Sequence, residues 1–363
     1  MIDPHALTRL PPGATIGILG GGQLGRMLSV AAARLGFKTH IYEPGANPPA
    51  ADVAHTVTTA SYDDKAALAA FAAGVDVVTF EFENIPTAAL DILEATRPIR
   101  PCRPALAISQ DRIAEKDFLT GLGLTTAPFA AVQTQADLDA ALVRIGAPAI
   151  LKTTRLGYDG KGQARLQTAA DAPAALAALQ GAPAVLEGFI DFSHEISVIA
   201  ARGLDGSVAV YDPGENVHHA GILHSTTVPA RLTPGQRSDA VLIAARILNA
   251  LDYVGVLGVE LFVTKSALIV NEIAPRVHNS GHWTQNGCAV DQFEQHIRAI
   301  AGWPLGDGSR HADVTMENLI GDDIARLPVL AREKNCAIHL YGKSDARPGR
   351  KMGHVNRITR GIA

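Results

Sequence analysis

Apolar positions along the chain recur with two different rhythms. Ala14-Thr-Ile-Gly-Ile-Leu19, Lys38 to Tyr42 and Val75-Asp-Val-Val-Thr-Phe80 read as short buried strands. Helical stretches over 26–35 and 63–72 separate them, and this alternation predicts a parallel sheet. Beyond Pro101–Pro104 the pattern changes. Helices are predicted over 109–119 and 138–145, then a strand over 149–152, an Ala-rich helix over 172–179 and a strand over 184–187. Segments 195–200 and 207–211 read as antiparallel strands, and 239–251 and 292–300 as helices. Breaks near Pro101–Pro104 and Trp303–Gly308 divide the chain into 1–108, 109–302 and 303–363.

The stretch from Val256 to Trp283 is the most informative. Two apolar runs flank Thr264-Lys265-Ser266, which predicts a β-hairpin. Each run carries one carboxylate, Glu260 and Glu272, where a plain core strand would carry none. Pairing Val263 with Ala267 places the acids on one face, on the diagonal, with Cβ atoms roughly 7–8 Å apart or less. Two such acids suit Mg²⁺, which usually takes one or two carboxylates plus substrate phosphates. Arg276, His278 and Asn279 follow, a cation and polar groups beside an anion site.

Composition narrows the setting. At 363 residues the chain allows two or three domains, and a net charge of −4 carries no nucleic-acid signature. Basic residues gather late: 332–360 holds eight Lys or Arg against Glu333 and Asp345. The apolar run 337–341 argues that this basic segment folds into strands. Three scattered cysteines form no disulfide framework, which fits a reducing cytoplasm. No signal peptide and no membrane-spanning run are expected.

Other motifs point to nucleotides. Gly20-Gly-Gly-Gln-Leu-Gly25 matches G-x-G-x-x-G between a strand and a helix, with Glu43 placed as a ribose-binding acid. Taken alone this fingerprint suits an NAD-dependent oxidoreductase, although a glycine turn at a helix N-terminus receives any phosphate. The loop Gly157 to Gly162 is not a Walker A, since no Ser or Thr follows Lys161. Flanked by strands, it reads as a hairpin lid whose N–H groups cover phosphates. Lys152 lies in the apolar strand before it and calls for an anionic partner. Arg112 and Lys116 share a helix face, and Lys116 is expected on the solvated surface. Glu187-Gly-Phe-Ile190 can form a hinge that reads adenine, with Glu195 nearby. Glu81 and Glu83 lie at the C-terminal edge of the first sheet, where open α/β folds bind ligands.

In this order the motifs resemble a family. Gly20 to Met27, Thr79 to Asn84, Gly157 to Gln163, Glu187 to Ile190, Val270 to Gly287, Leu340 to Lys343 and Arg347 to His354 are similar to the 5-(carboxyamino)imidazole ribonucleotide synthases, ATP-grasp ligases of purine biosynthesis. The resemblance runs nearly end to end. It implies an α/β protein with the ATP-grasp fold, a Rossmann-like N-terminal parallel-sheet domain and a small β-rich C-terminal domain. It implies that ATP phosphorylates bicarbonate and that 5-aminoimidazole ribonucleotide captures the carboxyl group, without biotin. ATP contacts would come from Arg112, Lys152, Gly157, Tyr158, Asp159, Gly160, Lys161, Gly162, Gln163, Glu187, Gly188, Phe189, Ile190, Glu195, His218, Asn271 and Glu272. Glu260 and Glu272 would hold Mg²⁺, and the assembly would be a homodimer in the cytoplasm, with no membrane or nucleic-acid partner. Arg276 is expected to hold bicarbonate through a fork of hydrogen bonds, with His278 orienting it and Lys152 serving phosphoryl transfer. Lys343, Arg350 and Lys351 would grip the ribonucleotide's 5′-phosphate, with Glu81 and Tyr158 positioning the ring. The rivals are a formate-using ATP-grasp ligase and the oxidoreductase above. One departure stands out: many ATP-grasp enzymes place Asn two residues after the second acid, and that position is Ala274 here. Strict alternation turns Asn271 away from Glu272, so either a bulge brings it inward or its role is structural.

Overall fold

The computed structural model describes residues 9–157 and 161–361. The first unit is the predicted parallel sheet. Strands β1 (Thr15–Leu19), β2 (Lys38–Tyr42), β3 (Thr56–Thr58) and β4 (Val77–Phe80) lie in the order β3-β2-β1-β4. β1 pairs in parallel with both β2 and β4, so Ile16, Ile18 and Leu19 are fully buried. A second, antiparallel sheet joins β5 (Phe129–Val132), β6 (Ala149–Thr153), β7 (Gln163–Leu166) and β8 (Ala184–Gly188) in the order β5-β8-β6-β7.

The third sheet is the largest. It comprises β9 (His194–Arg202), β10 (Val208–Val210), β11 (Gly214–His219), β12 (Ile222–Val228), β13 (Gly255–Val263), β14 (Leu268–Ala274), β15 (Ala312–Ile320), β16 (Cys336–Leu340) and β17 (Lys351–Gly361). Its path is β14-β13-β9-β11-β12-β15-β17-β16, with β10 attached to β9. The basic C-terminal strands therefore continue the same sheet that the acid-bearing hairpin begins.

Element differences have local causes. The helix Pro234–Ala250 starts before the predicted residue 239, because Thr233 caps it, in a capping box with Gln236, and Pro234 occupies its first turn. The helix Arg103–Ser109 lies where Pro101–Pro104 read as a break, and the helix Thr87–Glu94, which follows Pro86, is not among the predicted elements. Proline is tolerated at a helix start, where its missing N–H costs nothing. The helix Arg112–Gly121 begins three residues after the predicted start, at Asp111, whose carboxylate accepts the N–H groups of Ile113 and Ala114 at 3.0 and 3.2 Å.

One buried imidazole ties the parallel sheet to the large one. The N–H of Val256, on β13, donates to Nδ1 of His296 at 3.1 Å. The ring proton is therefore on Nε2, 2.8 Å from the hydroxyl of Thr79 on β4. His296 sits in the helix Gln292–Ile300, and burial pushes its pKa down to about 3. In the unfolded chain a histidine takes its proton at about pH 6.5. The stability that depends on neutral His296 is thus complete above pH 6.5 and is lost as pH falls toward 3. Across pH 6 to 4 this residue contributes about 1.4 kcal/mol per pH unit to the slope of stability. Urea titrations of a His296→Gln variant over that range should show a slope shallower by that amount; an unchanged slope would refute the assignment.

Candidate functional site

The hairpin β13–β14 carries the core of the site. Val263 pairs with Leu268, not Ala267, because the connection has four residues. Thr264 closes it: its N–H donates to the Ala267 carbonyl, and its hydroxyl accepts the Ala267 N–H, both at 3.0 Å. The register then slips by one residue, so that Leu261 faces Val270 and Glu260 faces Glu272 directly. The expected diagonal arrangement is therefore corrected to a head-on pair, with Cβ atoms about 4.5–5.5 Å apart. Asn271 is the extra residue of this bulge. Two residues of a bulged strand oppose one on its partner, so Asn271 and Glu272 together confront Glu260.

The two acids sit in different fields. Burial and the facing Glu272 push Glu260 up to about 7. Burial would raise Glu272 as well, but Arg112, then Lys152 and Lys116, hold it below the ordinary range. Arg112 bonds Glu272 at 3.0 Å and donates to the Gly157 carbonyl at 3.2 Å, so it joins β14 to the glycine loop. β14 is an edge strand, and its N–H at Ile273 donates to the buried carboxyl of Glu115 at 2.6 Å. Burial, then the nearby Glu272, pushes Glu115 up to about 8.

A second cluster lies beside the first. Lys152 donates to Glu187 at 2.9 Å, and Lys116 reaches the other oxygen of Glu187 at 3.3 Å. Lys116 is 1% exposed, which overturns the expectation of a solvated face. The signal was present: Lys116 follows Arg112 by four residues and so shares its face. Glu187 is held below the ordinary carboxylate range, because Lys152 and Lys116 outweigh its burial. Gly188, Phe189 and Ile190 lead from β8 toward β9, and Arg165 lies over the Phe189 ring at 4.6 Å. Glu195 approaches His218 at 3.2 Å, across the β9–β11 pairing. β6 and β7 form the predicted hairpin, with Lys152 opposite Gln163 and the Thr153 N–H donating to Gly162 at 2.8 Å. Lys161 stands at the far end of that loop, while Tyr158, Asp159 and Gly160 lie outside the described residues.

Toward the first sheet, Arg276 meets Glu83 at 2.6 Å. Glu81 faces the glycine turn instead: its carboxylate accepts the N–H of Gly22 and, at 2.5 Å, that of Gly25. Glu43, expected as a ribose acid, accepts the Gly21 N–H at 2.8 Å. The donors of the dinucleotide fingerprint are thus taken by the protein's own carboxylates. His278 is oriented by a hydroxyl chain, since Ser197 donates to Ser280 at 2.6 Å and Ser280 lies 2.8 Å from His278 Nδ1. Ser280 therefore donates to Nδ1, which leaves the ring proton on Nε2, 3.3 Å from Glu260. Gly258 leaves room for this ring, because a Cβ there would lie 2.9 Å from the His278 Cβ. Burial, then Arg276 and Lys351, keeps His278 neutral.

The basic segment divides. Lys343 donates to Gln23, at the start of the helix Gln23–Arg34, at 2.6 Å and to the Lys351 carbonyl at 2.7 Å. The charge of Lys351 is felt by Glu260 and His278. Arg350 turns instead to the Asp345 carbonyl at 3.1 Å. Sequence reasoning missed the contacts of Gln23, Glu115 and the Ser197–Ser280 relay, whose partners lie far away in the chain.

Comparisons with known proteins agree on one family. The ATP-grasp domain family matches residues 117–293, the ribonucleotide synthetase preATP-grasp domain 13–110, and the phosphoribosylaminoimidazole carboxylase C-terminal domain 315–362. An N5-carboxyaminoimidazole ribonucleotide synthase from Brucella melitensis is 56% identical over 354 residues, covering 97% of this chain and 98% of its own. The N5-carboxyaminoimidazole synthetase from Staphylococcus aureus complexed with ADP is 36% identical, with a TM-score of 0.92 over 97% of this chain and 95% of that one. The Aspergillus clavatus synthase in complex with ADP and 5-aminoimidazole ribonucleotide is 32% identical, with a TM-score of 0.91 over 97% and 95%.

The edge-strand bond of Glu115 yields a test. Glu115→Ala leaves the Ile273 N–H without an acceptor and should cost about 1–3 kcal/mol in urea unfolding. Glu115→Gln keeps an acceptor oxygen and should unfold close to the wild type. Equal losses in both variants would contradict the role.

Proposed function

The chain belongs to the N5-carboxyaminoimidazole ribonucleotide synthase family, and we propose how its own residues carry out that family's reaction. It is an ATP-grasp ligase of purine biosynthesis that carboxylates 5-aminoimidazole ribonucleotide at the expense of ATP. The observation that carries the residue assignment is the head-on pair Glu260–Glu272, flanked by Lys152 and Arg112 on one side and by Arg276 and His278 on the other.

ATP is assigned to the cleft between the second and third sheets. The hinge Glu187 to Ile190 takes the adenine and Glu195 with His218 the ribose end. Lys152, Arg112, Asn271 and the loop Gly157 to Gln163 take the phosphates. Two opposed hard-oxygen donors, one driven toward its neutral form by burial and then by the other, fit a divalent cation. We assign Mg²⁺ to Glu260 and Glu272, which would hold it, and it would supply positive charge against the phosphates. Arg276 holds bicarbonate, whose oxygen attacks the γ-phosphorus while ADP departs. His278 presents its Nε2 proton toward this anion as a hydrogen-bond donor. The product carboxyphosphate then yields its carboxyl carbon to the ribonucleotide amine. A C–N bond forms, the C–O bond to phosphate breaks, and the amine loses one proton. Lys343 and Lys351 grip the 5′-phosphate; Arg350 joins them on release from Asp345. The aminoimidazole is assigned to Glu81, and to Tyr158, which lies outside the described residues. Closure of the glycine loop keeps water from the carboxyphosphate.

We extend the reading to the division 1–108, 109–302 and 303–363; the change of sheet after β4 supports the first break, while the third sheet runs across the second. A homodimer is proposed as well. The groove between the helix Gln23–Arg34 and the edge strand β16 supports it, with Val30 and Leu340 exposed. Among the described residues no helix is long and apolar enough to cross a membrane. The three cysteines are free, which supports a cytoplasmic setting.

Purified protein should release ADP with Mg-ATP and 5-aminoimidazole ribonucleotide, and bicarbonate should raise the yield of carboxylated product. No ribonucleotide-dependent ADP release would overturn the reading. Glu272→Ala should lower turnover at least about a hundredfold with an unchanged fold by circular dichroism; near-normal turnover would remove its metal role. Lys343→Ala should raise the ribonucleotide KM about tenfold or more while kcat changes little, as loss of a ground-state phosphate contact requires. An unchanged KM would contradict the phosphate grip.

A further inference from the structure

Two lysines serve one buried carboxylate. Glu187 is 4% exposed, and its oxygens are 2.9 Å from Lys152 and 3.3 Å from Lys116. At contact distance one cation is enough to compensate Glu187, while the second also adds to the field that acts on Glu272. The two lysines differ in freedom. Lys152 lies on β6, at the mouth of the glycine-loop hairpin, and makes a true hydrogen bond to Glu187. Lys116 comes from the helix Arg112–Gly121 and is enclosed by protein. Its Nζ and the Glu187 oxygen that faces it make no hydrogen bond among the described residues, although their charges lie within ion-pair distance. The neighbouring carboxyl of Glu115 points away, to the Ile273 N–H.

We infer that Lys116 is a positioning residue: a fixed counter-charge that lets Lys152 exchange Glu187 for a phosphate oxygen of the nucleotide. The inference rests on the ATP reading of the site. With Lys116 absent, Glu187 and Lys152 form a closed pair. A phosphate drawing Lys152 away would then strand a buried carboxylate, and removing one partner of a buried pair is strongly unfavourable. With Lys116 present, the carboxylate stays compensated while Lys152 turns. The cost of freeing Lys152 therefore does not fall on ATP binding. The helix register does this with one residue, because the same face places Arg112 on Glu272.

The test is a double-mutant cycle read in the steady-state KM for ATP of the full-length enzyme. Lys116→Met should raise that KM by about tenfold or more, with kcat at saturating ATP within about threefold of the wild type. In a Glu187→Gln background the carboxylate that captures Lys152 is gone, so adding Lys116→Met should change the KM by less than about threefold. Lys116→Arg, which keeps the charge, should retain more of the wild-type KM than Lys116→Met. A packing role would penalise Lys116→Met equally in both backgrounds and would overturn the inference, as would an unchanged KM in the single variant. If Lys116→Met does not fold, Lys116→Gln enters the same cycle with the same expectations. Failure of the wild type to release ADP with the ribonucleotide would instead sink the ATP reading.

Discussion

Two carboxylates held face to face in an antiparallel ladder are a standing repulsion, and the surrounding architecture is organised to contain it. Like charges directly opposite one another destabilise a strand pair. Here the pair is also partly withdrawn from water, Glu260 more than Glu272, which raises the cost of the charged forms. The structure answers asymmetrically. Glu272 receives Arg112 at contact, with Lys152 and Lys116 behind it, and stays ionised. Glu260 has a neutral imidazole at 3.3 Å, and the charges of His218 and Lys351 do not offset its burial and the facing Glu272, so it drifts toward its protonated form. A site balanced this way prefers an added cation to its own isolated state. The bulge at Asn271 creates this arrangement, and the bond from Ile273 to Glu115 secures the strand beside it.

The groups assigned to the substrates belong to remote parts of the chain, yet their spacing is rigidly maintained. The large sheet runs unbroken from β14 to β16, so the hairpin acids and the basic strands share one hydrogen-bonded frame. Asn279 and Asn318 exchange reciprocal amide bonds at 3.0 and 2.7 Å, which pins the loop after Arg276 to β15. The rings of His282 and His354 lie 4.7 Å apart, and His354 stacks on His339 at 4.6 Å, so the same loop is packed against β17 and β16. His296 and Thr79 carry the connection to the parallel sheet and hence to Glu81 and Glu83. Buried polar contacts of this kind add little net stability, but each has few alternative partners and so fixes geometry.

Much of this was legible from residue order. The alternation before residue 101 indicated the parallel sheet, and two acids in apolar runs indicated the hairpin. The head-on register was not legible, because it depends on a four-residue turn and a one-residue bulge that apolar periodicity does not encode. Asn271 shows the point: strict alternation sends it away from Glu272, and the bulge brings the two onto one side of the pair. Lys116 failed for another reason. A helix face is shared through local spacing, but which side meets solvent is decided by the strands packed against it. Glu115 and Gln23 find their partners 158 and 320 residues away in sequence, beyond any motif.

The glycine turn shows why a fingerprint must be read with its surroundings. In a dinucleotide site the N–H groups at the helix N-terminus receive a pyrophosphate. Here Glu81 reaches them from the end of β4 and Glu43 from the end of β2. Gly22 has no space for a side chain, since a Cβ would lie 2.6 Å from a Glu81 oxygen. The helix dipole therefore stabilises a carboxylate of the protein itself, in competition with the burial that raises its pKa. An anion approaching this end of the molecule meets a negative group at the turn and a lysine, Lys343, anchored on Gln23 one step further along. The same glycine spacing that receives phosphate elsewhere turns it aside here, toward the segment where the 5′-phosphate grip is proposed.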